Sequence, residues 1–281
     1  MNYMDGFQSS NSKEFSVLIS IYTKENPLFF ERAIESIWDK QTLKPDEIVI
    51  VRDGPLTKEL NLIINNYSQI APIKCVSLDK NYGLGIALAR GVEHCNSEII
   101  ARMDTDDIAQ PNRFEKQIKF LLENPNYDVV GSNIAEFNLT EEDIVSYRRV
   151  PEHSKEILKF AKRRNPMNHM SIVFRKKALL NAGSYVPLYG YEDYFLWVRM
   201  LQKGSKFYNI QEDLILARIG NNMLARRQGI KFFKQELNLQ KRFYEIGFIN
   251  KLDLVINIIL RSTPRLFPIW VLKIVYKTLR N

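Results

Sequence analysis

The 281-residue sequence predicts an α/β fold built on a mainly parallel sheet flanked by helices. Three observations predict it. Short apolar, β-branched runs alternate with helical periodicity four times in the first 130 residues, the pattern of strands joined by right-handed helical crossovers. Polar residues punctuate the carboxyl end of each run, where open sheets of this kind bind ligands. A composition of 45% hydrophobic and 26% charged residues is that of a globular chain and excludes wholesale disorder.

Taken in order, the apolar run Phe15–Tyr22 reads as a buried strand. Asn26-Pro27 supplies an N-cap and a first-turn proline for a helix over Leu28–Lys40, with Phe30, Ala33, Ile34 and Ile37 on one face. Glu47–Val51 is the second strand, stopped by Asp53-Gly-Pro55, and a helix follows over 56–69. Ile73–Leu78 is the third strand, and Asn81-Tyr-Gly-Leu-Gly85 leads into a helix that ends near Cys95. Glu98–Met103 is the fourth strand, and it ends on Asp104-Thr-Asp-Asp107. Pro111 starts a helix to about Asn124, and Asp128–Val130 is a short fifth strand. Beyond Gly131 the regularity weakens. Ser171–Phe174 reads as a strand, Lys176–Ala182 as a short helix and Tyr191–Lys203 as a helix. Phe207–Ile210 and Leu214–Arg218 read as two strands, and the pattern from Met223 onward is helical.

Two cysteines, Cys75 and Cys95, and three scattered histidines exclude a disulfide scaffold and make a His-built metal centre unexpected. Residues 1–14 are polar, without the apolar stretch of a secretory signal, and no run reaches membrane-spanning length, so a cytoplasmic location is expected. The net charge of +8 is uneven: residues 226–281 carry +9 and the rest −1. That argues against a chain-wide nucleic-acid surface and for a specialised basic C-terminal segment.

Asp104-Thr-Asp-Asp107 is the sharpest chemical feature. In extended backbone, positions i and i+2 face the same way, so Asp104 and Asp106 can address one ion. Carboxylates this close repel unless a cation sits between them, and an oxygen-only set selects Mg²⁺ or Mn²⁺. The competing reading is a solvated acidic turn. Asp53 is either an Asx-turn residue or an acceptor for a nucleobase or ribose. Gly83 and Gly85 make a turn but not a dinucleotide fingerprint, since Leu88 stands where a third glycine is needed. Glu192-Asp193 opens an apolar helix, either to complement its dipole or to supply a general base. His169 sits just before a strand, where a lone histidine is more often structural than a site residue.

The stretches SVLISIY, EIVIVRDGP, LDKNYGLGIALARG, EIIARMDTDDIAQPNRFEKQ, VVGS, RRNPMNHMSIVFRK and YEDYFLWVRM occur in one order over residues 14–220. In that combination the sequence resembles family 2 glycosyltransferases of the GT-A fold, specifically the bacterial exopolysaccharide, capsule and O-antigen branch that includes amylovoran biosynthesis. The resemblance implies a catalytic domain over 14–220, with a nucleotide-sugar half (14–131) and an acceptor half (132–220), followed by a basic amphipathic helical region over 221–281. It implies an inverting transfer of a hexose from a UDP-sugar, UDP-galactose or UDP-glucose, to a hydroxyl of a lipid-linked glycan. Ser20, Tyr22, Asp53, Asn81, Gly83, Gly85, Arg102, Asp104, Asp107, His169 and Arg218 would contact the nucleotide sugar. Asp106 and Asp104 would hold Mn²⁺ or Mg²⁺, Asp193 would take the acceptor proton, and Glu192 would position the acceptor. The family's Arg-x-His element is incomplete here, as Arg218 is followed by Ile219-Gly220. Arg218, Arg226 or Arg227 could supply the contact to the diphosphate instead.

In the tail, apolar runs over Leu252–Leu260 and Leu266–Tyr276 are broken by Asp253, Arg261, Pro264, Arg265, Pro268 and Lys273. Basic residues beside Phe267, Trp270 and leucines suit a helix lying on an anionic membrane surface at the inner face of the plasma membrane. The alternative is a helical cap on the catalytic core. Rival classes fit less well. A haloacid-dehalogenase-type phosphatase carries its Asp-x-Asp after the first core strand, not the fourth. A sugar-nucleotide pyrophosphorylase needs a basic glycine-rich loop after strand one. A non-catalytic membrane or interaction protein leaves Asp104, Asp106 and Asp193 unexplained.

Overall fold

The computed structural model describes residues 14–219 and 228–267. Its first strand, β1 (Phe15–Ile21), is buried along almost its whole length, as a continuous apolar run in a sheet covered on both faces must be. Asn26 caps helix α1 (Pro27–Ile37) by accepting from the Leu28 N–H at 2.9 Å. Then follow β2 (Glu47–Arg52), α2 (Lys58–Tyr67), β3 (Ile73–Ser77), α3 (Leu84–His94) and β4 (Ile99–Met103). These are the elements read from the sequence, with ends moved by at most three residues. Strands β3, β2, β1 and β4 lie side by side and parallel.

The second half turns the sheet mixed. It contains β5 (Ile108–Ala109), α4 (Arg113–Glu123), β6 (Val129–Phe137), β7 (Ile144–Arg148), α5 (Ser154–Ala161), β8 (Val173–Arg175), α6 (Lys176–Asn181), α7 (Glu192–Gln202) and β9 (Phe207–Arg218). The order β3-β2-β1-β4-β8-β6-β9-β5 has β8 antiparallel to both neighbours, and β7 pairs with β6. Two expectations are corrected here. The fifth strand is not short, because β6 continues to Phe137 against two partners. Phe207–Ile210 and Leu214–Arg218 are one strand parallel to β6. The polar Gln211-Glu212-Asp213 between them is a register irregularity rather than a turn, with Gln211 accepting from Asn133 at 3.3 Å. β5, at two residues, is too short for periodicity to reveal.

Helices α1, α2 and α4 cover one face of the sheet over Phe15, Val17, Ile19, Ile48 and Ile50. The other face, with Leu18, Val49, Val51 and Ile100, packs against α3 and α7 in a cluster centred on the fully buried Trp197. Helices α8 (Ile230–Glu245) and α9 (Lys251–Asn257) form a further layer over α7, with Leu239, Phe243, Phe248 and Ile249 joining that same cluster. A π-turn over Ile258–Ser262 and a 3₁₀ turn over Thr263–Leu266 complete the described chain. Among the described residues no helix is long and apolar enough to cross a membrane.

Candidate active site

The carboxyl ends of β1, β2 and β4 bring Ser20, Tyr22, Asp53 and the 104–107 turn to one rim. Asp53 is 4% exposed and holds the glycine loop: its two oxygens accept from the Tyr82 N–H at 2.7 Å and the Gly83 N–H at 2.9 Å. This is the turn role weighed for Asp53, here spanning two loops instead of one. Gly83 has φ +90°, a conformation that favours glycine, and it begins α3. Asn81 is exposed on the same loop. A cleft of about 340 Å³ opens beside Asp53, lined by Arg52, Gly54, Pro55, Leu56, Asn61 and Leu78 among others. A larger one, about 470 Å³, lies beside Asn96, Lys176 and Lys177 at the opposite rim, away from every residue named above.

The acidic turn departs from its expected geometry. β4 ends at Met103 and the chain bends at Thr105-Asp106, so Asp104 and Asp106 converge across a turn and not by strand alternation. Their charges still interact: burial first, then the Asp104 charge, pushes the Asp106 carboxyl up to about 6. Asp107 is 2% exposed and pushed higher by burial and by both neighbours, and it accepts from the Arg218 N–H at 2.8 Å. Arg102, 1% exposed, forms an ion pair with Asp104 from beneath. Arg218 stacks on Phe29 and Phe137, with the guanidinium 3.9 and 4.4 Å from the ring centroids. Its Nε donates to the Asp106 carbonyl at 3.2 Å. Arg218 thus buttresses the turn from behind. Gly220, Arg226 and Arg227 lie outside the described residues.

This arrangement fits a hard divalent cation. Its donors are carboxylate oxygens, and both causes that raise Asp106, burial first and then the Asp104 charge, disfavour an anion that a bound cation would stabilise. Among the described residues no three His, Cys, Asp or Glu side chains close around a metal. An ion held by Asp104 and Asp106 would therefore fill its remaining positions with phosphate oxygens and water. Glu25 is a residue that the sequence reading missed. Burial raises its carboxyl to about 7, with a hydrogen bond to Thr105 opposing and the charges of Asp106 and Asp104 reinforcing. Its place three residues after Tyr22 was the available signal.

Facing this rim, the N-terminus of α7 presents Glu192 and Asp193. Glu192 is 9% exposed, and burial drives its carboxyl up to about 7 despite backbone N–H groups that oppose the shift. Asp193 is half-buried and accepts from Asn165 Nδ2 at 2.6 Å. Asn165, also missed, lies in the RRNPMNHM stretch. His169 meets the Tyr185 hydroxyl at 3.1 Å and packs on Trp197. Burial and the Arg102 charge hold its imidazole well below the usual range, so it stands neutral. Gly85 lets α3 approach α7: a Cβ there would lie 2.8 Å from Glu192 Cγ.

The described tail corrects one expectation. Arg261 and Arg265, read as basic residues facing lipid, turn inward to Glu236, which is fully buried, at 2.8 and 2.7 Å. Those two cations hold the Glu236 carboxyl at about 2, overcoming burial. The described layer is therefore a cap on the core. Its outer face remains apolar: Leu252, Val255, Ile259, Leu260, Leu266 and Phe267 are each about half exposed or more. Trp270 and Lys273 fall outside the described residues.

Comparison with known proteins adds three kinds of finding. Residues 16–185 match the family model described as glycosyl transferase family 2. An uncharacterized glycosyltransferase of Haemophilus influenzae is 42% identical over 94% of this chain and 98% of its own. An Escherichia coli protein named UDP-Gal:alpha-D-GlcNAc-diphosphoundecaprenol beta-1,3-galactosyltransferase is 39% identical over 92% and 94%. The amylovoran biosynthesis glycosyltransferase AmsE of Erwinia amylovora is 38% identical over 94% and 98%. Among solved structures, the mannosyltransferase PcManGT of Pyrobaculum calidifontis, in complex with GDP-Man and Mn²⁺, superimposes with a TM-score of 0.67 at 16% identity, over 95% of this chain and 74% of that one. TarS 1-349 of S. aureus with UDP-GlcNAc gives 0.66 at 16% identity, over 90% and 72%.

Proposed function

The chain belongs to glycosyltransferase family 2, with the GT-A fold, and from that premise we propose that it moves a hexose from a UDP-sugar to a hydroxyl of a lipid-linked glycan. UDP-galactose is the first choice of donor and UDP-glucose the second. The names of the Escherichia coli and Erwinia relatives support this substrate class. The observation that carries the reading is the approach of two acidic groups, the 104–107 turn and the start of α7: the charges of Asp104 and Asp193 both act on the buried Tyr185 hydroxyl, and Glu192 lies beside Asp193.

In this reading the nucleoside lies over Ser20 and Tyr22 beside the Asp53 cleft, and the Asn81–Gly85 loop borders the diphosphate and sugar. Asp104 and Asp106 would hold Mn²⁺ or Mg²⁺, which when bound would supply positive charge against the diphosphate. Arg102 and neutral His169 lie beneath the sugar. Asp193 accepts the proton of the acceptor hydroxyl as that oxygen bonds to the anomeric carbon and the bond to UDP breaks on the opposite face. One displacement inverts the anomeric configuration. General-base help of this kind contributes about 10²–10⁴-fold. Glu192, with its carboxyl at about 7, is about half protonated at neutrality, and in that form it donates a hydrogen bond to the acceptor or sugar.

The exposed apolar face of α9 and the turns after it would rest on the inner surface of the plasma membrane, where a lipid-linked acceptor is presented. The test is a thermal-shift panel of nucleoside diphosphates and UDP-sugars with Mn²⁺, followed by transfer from the stabilising donor to a GlcNAc-diphosphoryl-alkyl acceptor. Selective stabilisation by UDP and one UDP-hexose, with an inverted product linkage, supports the reading. Stabilisation by guanine nucleotides alone, or a retained linkage, refutes it.

A further inference from the structure

Asp193 is tied to the C-terminal layer by two routes that meet at one side chain. The first runs through the backbone that begins α7. Tyr191, at the N-cap, donates its hydroxyl to Glu236 Oε2 at 2.8 Å, and Arg261 Nε donates to Glu236 Oε1 at 2.8 Å. The second runs through the turn after α5. Arg261 Nη1 donates to the Arg163 carbonyl at 2.6 Å, and Asn257 Nδ2 to the Lys162 carbonyl at 2.9 Å. Arg163 itself donates to Asp253 Oδ1 at 2.5 Å and to Asn257 Oδ1 at 2.9 Å. Two residues along that turn, Asn165 reaches Asp193 at 2.6 Å.

From Glu236 a parallel link runs through Gln240, which donates to Glu236 Oε1 at 3.0 Å and accepts from Asn257 Nδ2 at 2.7 Å, while Arg261 joins both routes directly. Its guanidinium also lies 5.6 Å from the Tyr194 ring centroid, on the first turn of α7. Burying an arginine and a carboxylate together costs desolvation that their attraction roughly offsets, so stability alone is a weak reason for the pair. Geometry is a stronger one. A planar fork can hold Glu236 and a backbone carbonyl at once, which an ammonium on a single point cannot do at the same separation. A general base works only within hydrogen-bond reach, and misplacement by about 1 Å can cost 10²-fold in rate.

We infer that Arg261, oriented by Glu236, is a positioning residue for transfer: it locks Tyr191 and the 162–165 turn so that Asn165 and α7 hold Asp193 at the acceptor hydroxyl. This rests on Asp193 being the base. The helical layer is then part of the catalytic apparatus.

The test uses the full chain with UDP-galactose, Mn²⁺ and a GlcNAc-diphosphoryl-alkyl acceptor. Three variants probe the two routes: Arg261→Lys, Tyr191→Phe and Asn165→Ala. Phe248→Ala serves as a destabilised control that packs in the same layer but joins neither route. Each of the three should lower kcat about tenfold, with KM for donor and acceptor within about twofold of the parent. The Phe248→Ala variant should keep its kcat once scaled to the folded fraction. Arg261→Lys carries the greatest folding risk, so Tyr191→Phe and Asn165→Ala decide. If both fold and keep kcat within twofold of the parent, or if the control loses kcat equally, the inference is overturned. Asp193→Asn separates the two levels. Loss of turnover there with intact Tyr191→Phe and Asn165→Ala removes only the positioning role, whereas intact Asp193→Asn removes the base assignment itself.

Discussion

Gly85 and Glu192 stand in direct apposition: a Cβ on Gly85 would sit 2.8 Å from Glu192 Cγ and 2.9 Å from the Val186 carbonyl oxygen. The first turn of α3 therefore packs on the first turn of α7. A methyl group at 85 must displace backbone as well as a flexible side chain. Gly85→Ala should destabilise by about 1–3 kcal/mol, the usual cost of overpacking. It should also reduce kcat more than a comparably destabilising substitution elsewhere. Urea denaturation and steady-state rates on one preparation check both.

Glu192 carries a pH signature. Its folded-state carboxyl titrates at about 7 against an ordinary 4.5, because of burial and then the neighbouring Asp193 charge, with backbone N–H groups opposing. A raised value means that its contribution to stability is present below pH about 4.5 and is lost as pH rises through 7. Above that, the buried charge costs on the order of 3 kcal/mol at most. Glu192→Gln should gain stability relative to the parent between pH 5 and 8, measured by chemical denaturation across that range. Parallel curves for the two proteins would contradict it.

Asp106→Ala tests the cation. The variant should fold, since it deletes a carboxylate that burial and Asp104 disfavour. UDP should then raise the melting temperature equally with Mn²⁺ and with EDTA, whereas the parent should respond to UDP chiefly with Mn²⁺ present. A variant that keeps the parent's Mn²⁺ dependence would place the metal on other residues.

Truncation after residue 250 removes Arg261 and Arg265 and leaves Glu236 buried without either cation. Removing the partners of a buried charge costs about 3–5 kcal/mol. The truncated chain should aggregate or melt far below the full chain, and Glu236→Gln in the truncated background should recover part of the loss. Solubility and melting curves of the three proteins decide it.

Much of this was legible from residue order. The parallel half was readable because its strands are apolar on both faces and are punctuated by Asp53-Gly54-Pro55 and Asp104–Asp107. Pairing was not. β9 reads as two strands because Gln211-Glu212-Asp213 is polar, and only its neighbour β6 shows that the chain runs through. Candidate carboxylates were visible as residue types at strand and helix ends. Their supports, Asn165, Glu236 and Arg261, were not, because each acts across 25 to 45 or more residues of sequence on a partner that no local pattern identifies. The tail arginines show the same limit: basic residues among apolar ones describe a lipid-facing helix until a buried glutamate turns them inward.

The acidic turn joins β4, in the parallel half of the sheet, to β5, which pairs with β9 in the other half. Asp107 repeats the connection by accepting from the N–H of Arg218, the last residue of β9. The turn works as a rivet through both halves. Neither half can come apart without opening it, so melting should proceed in a single step along the described chain. Any ligand that grips Asp104 and Asp106 should then raise the temperature of that one step, as seen equally by probes near Cys75 and near Trp197.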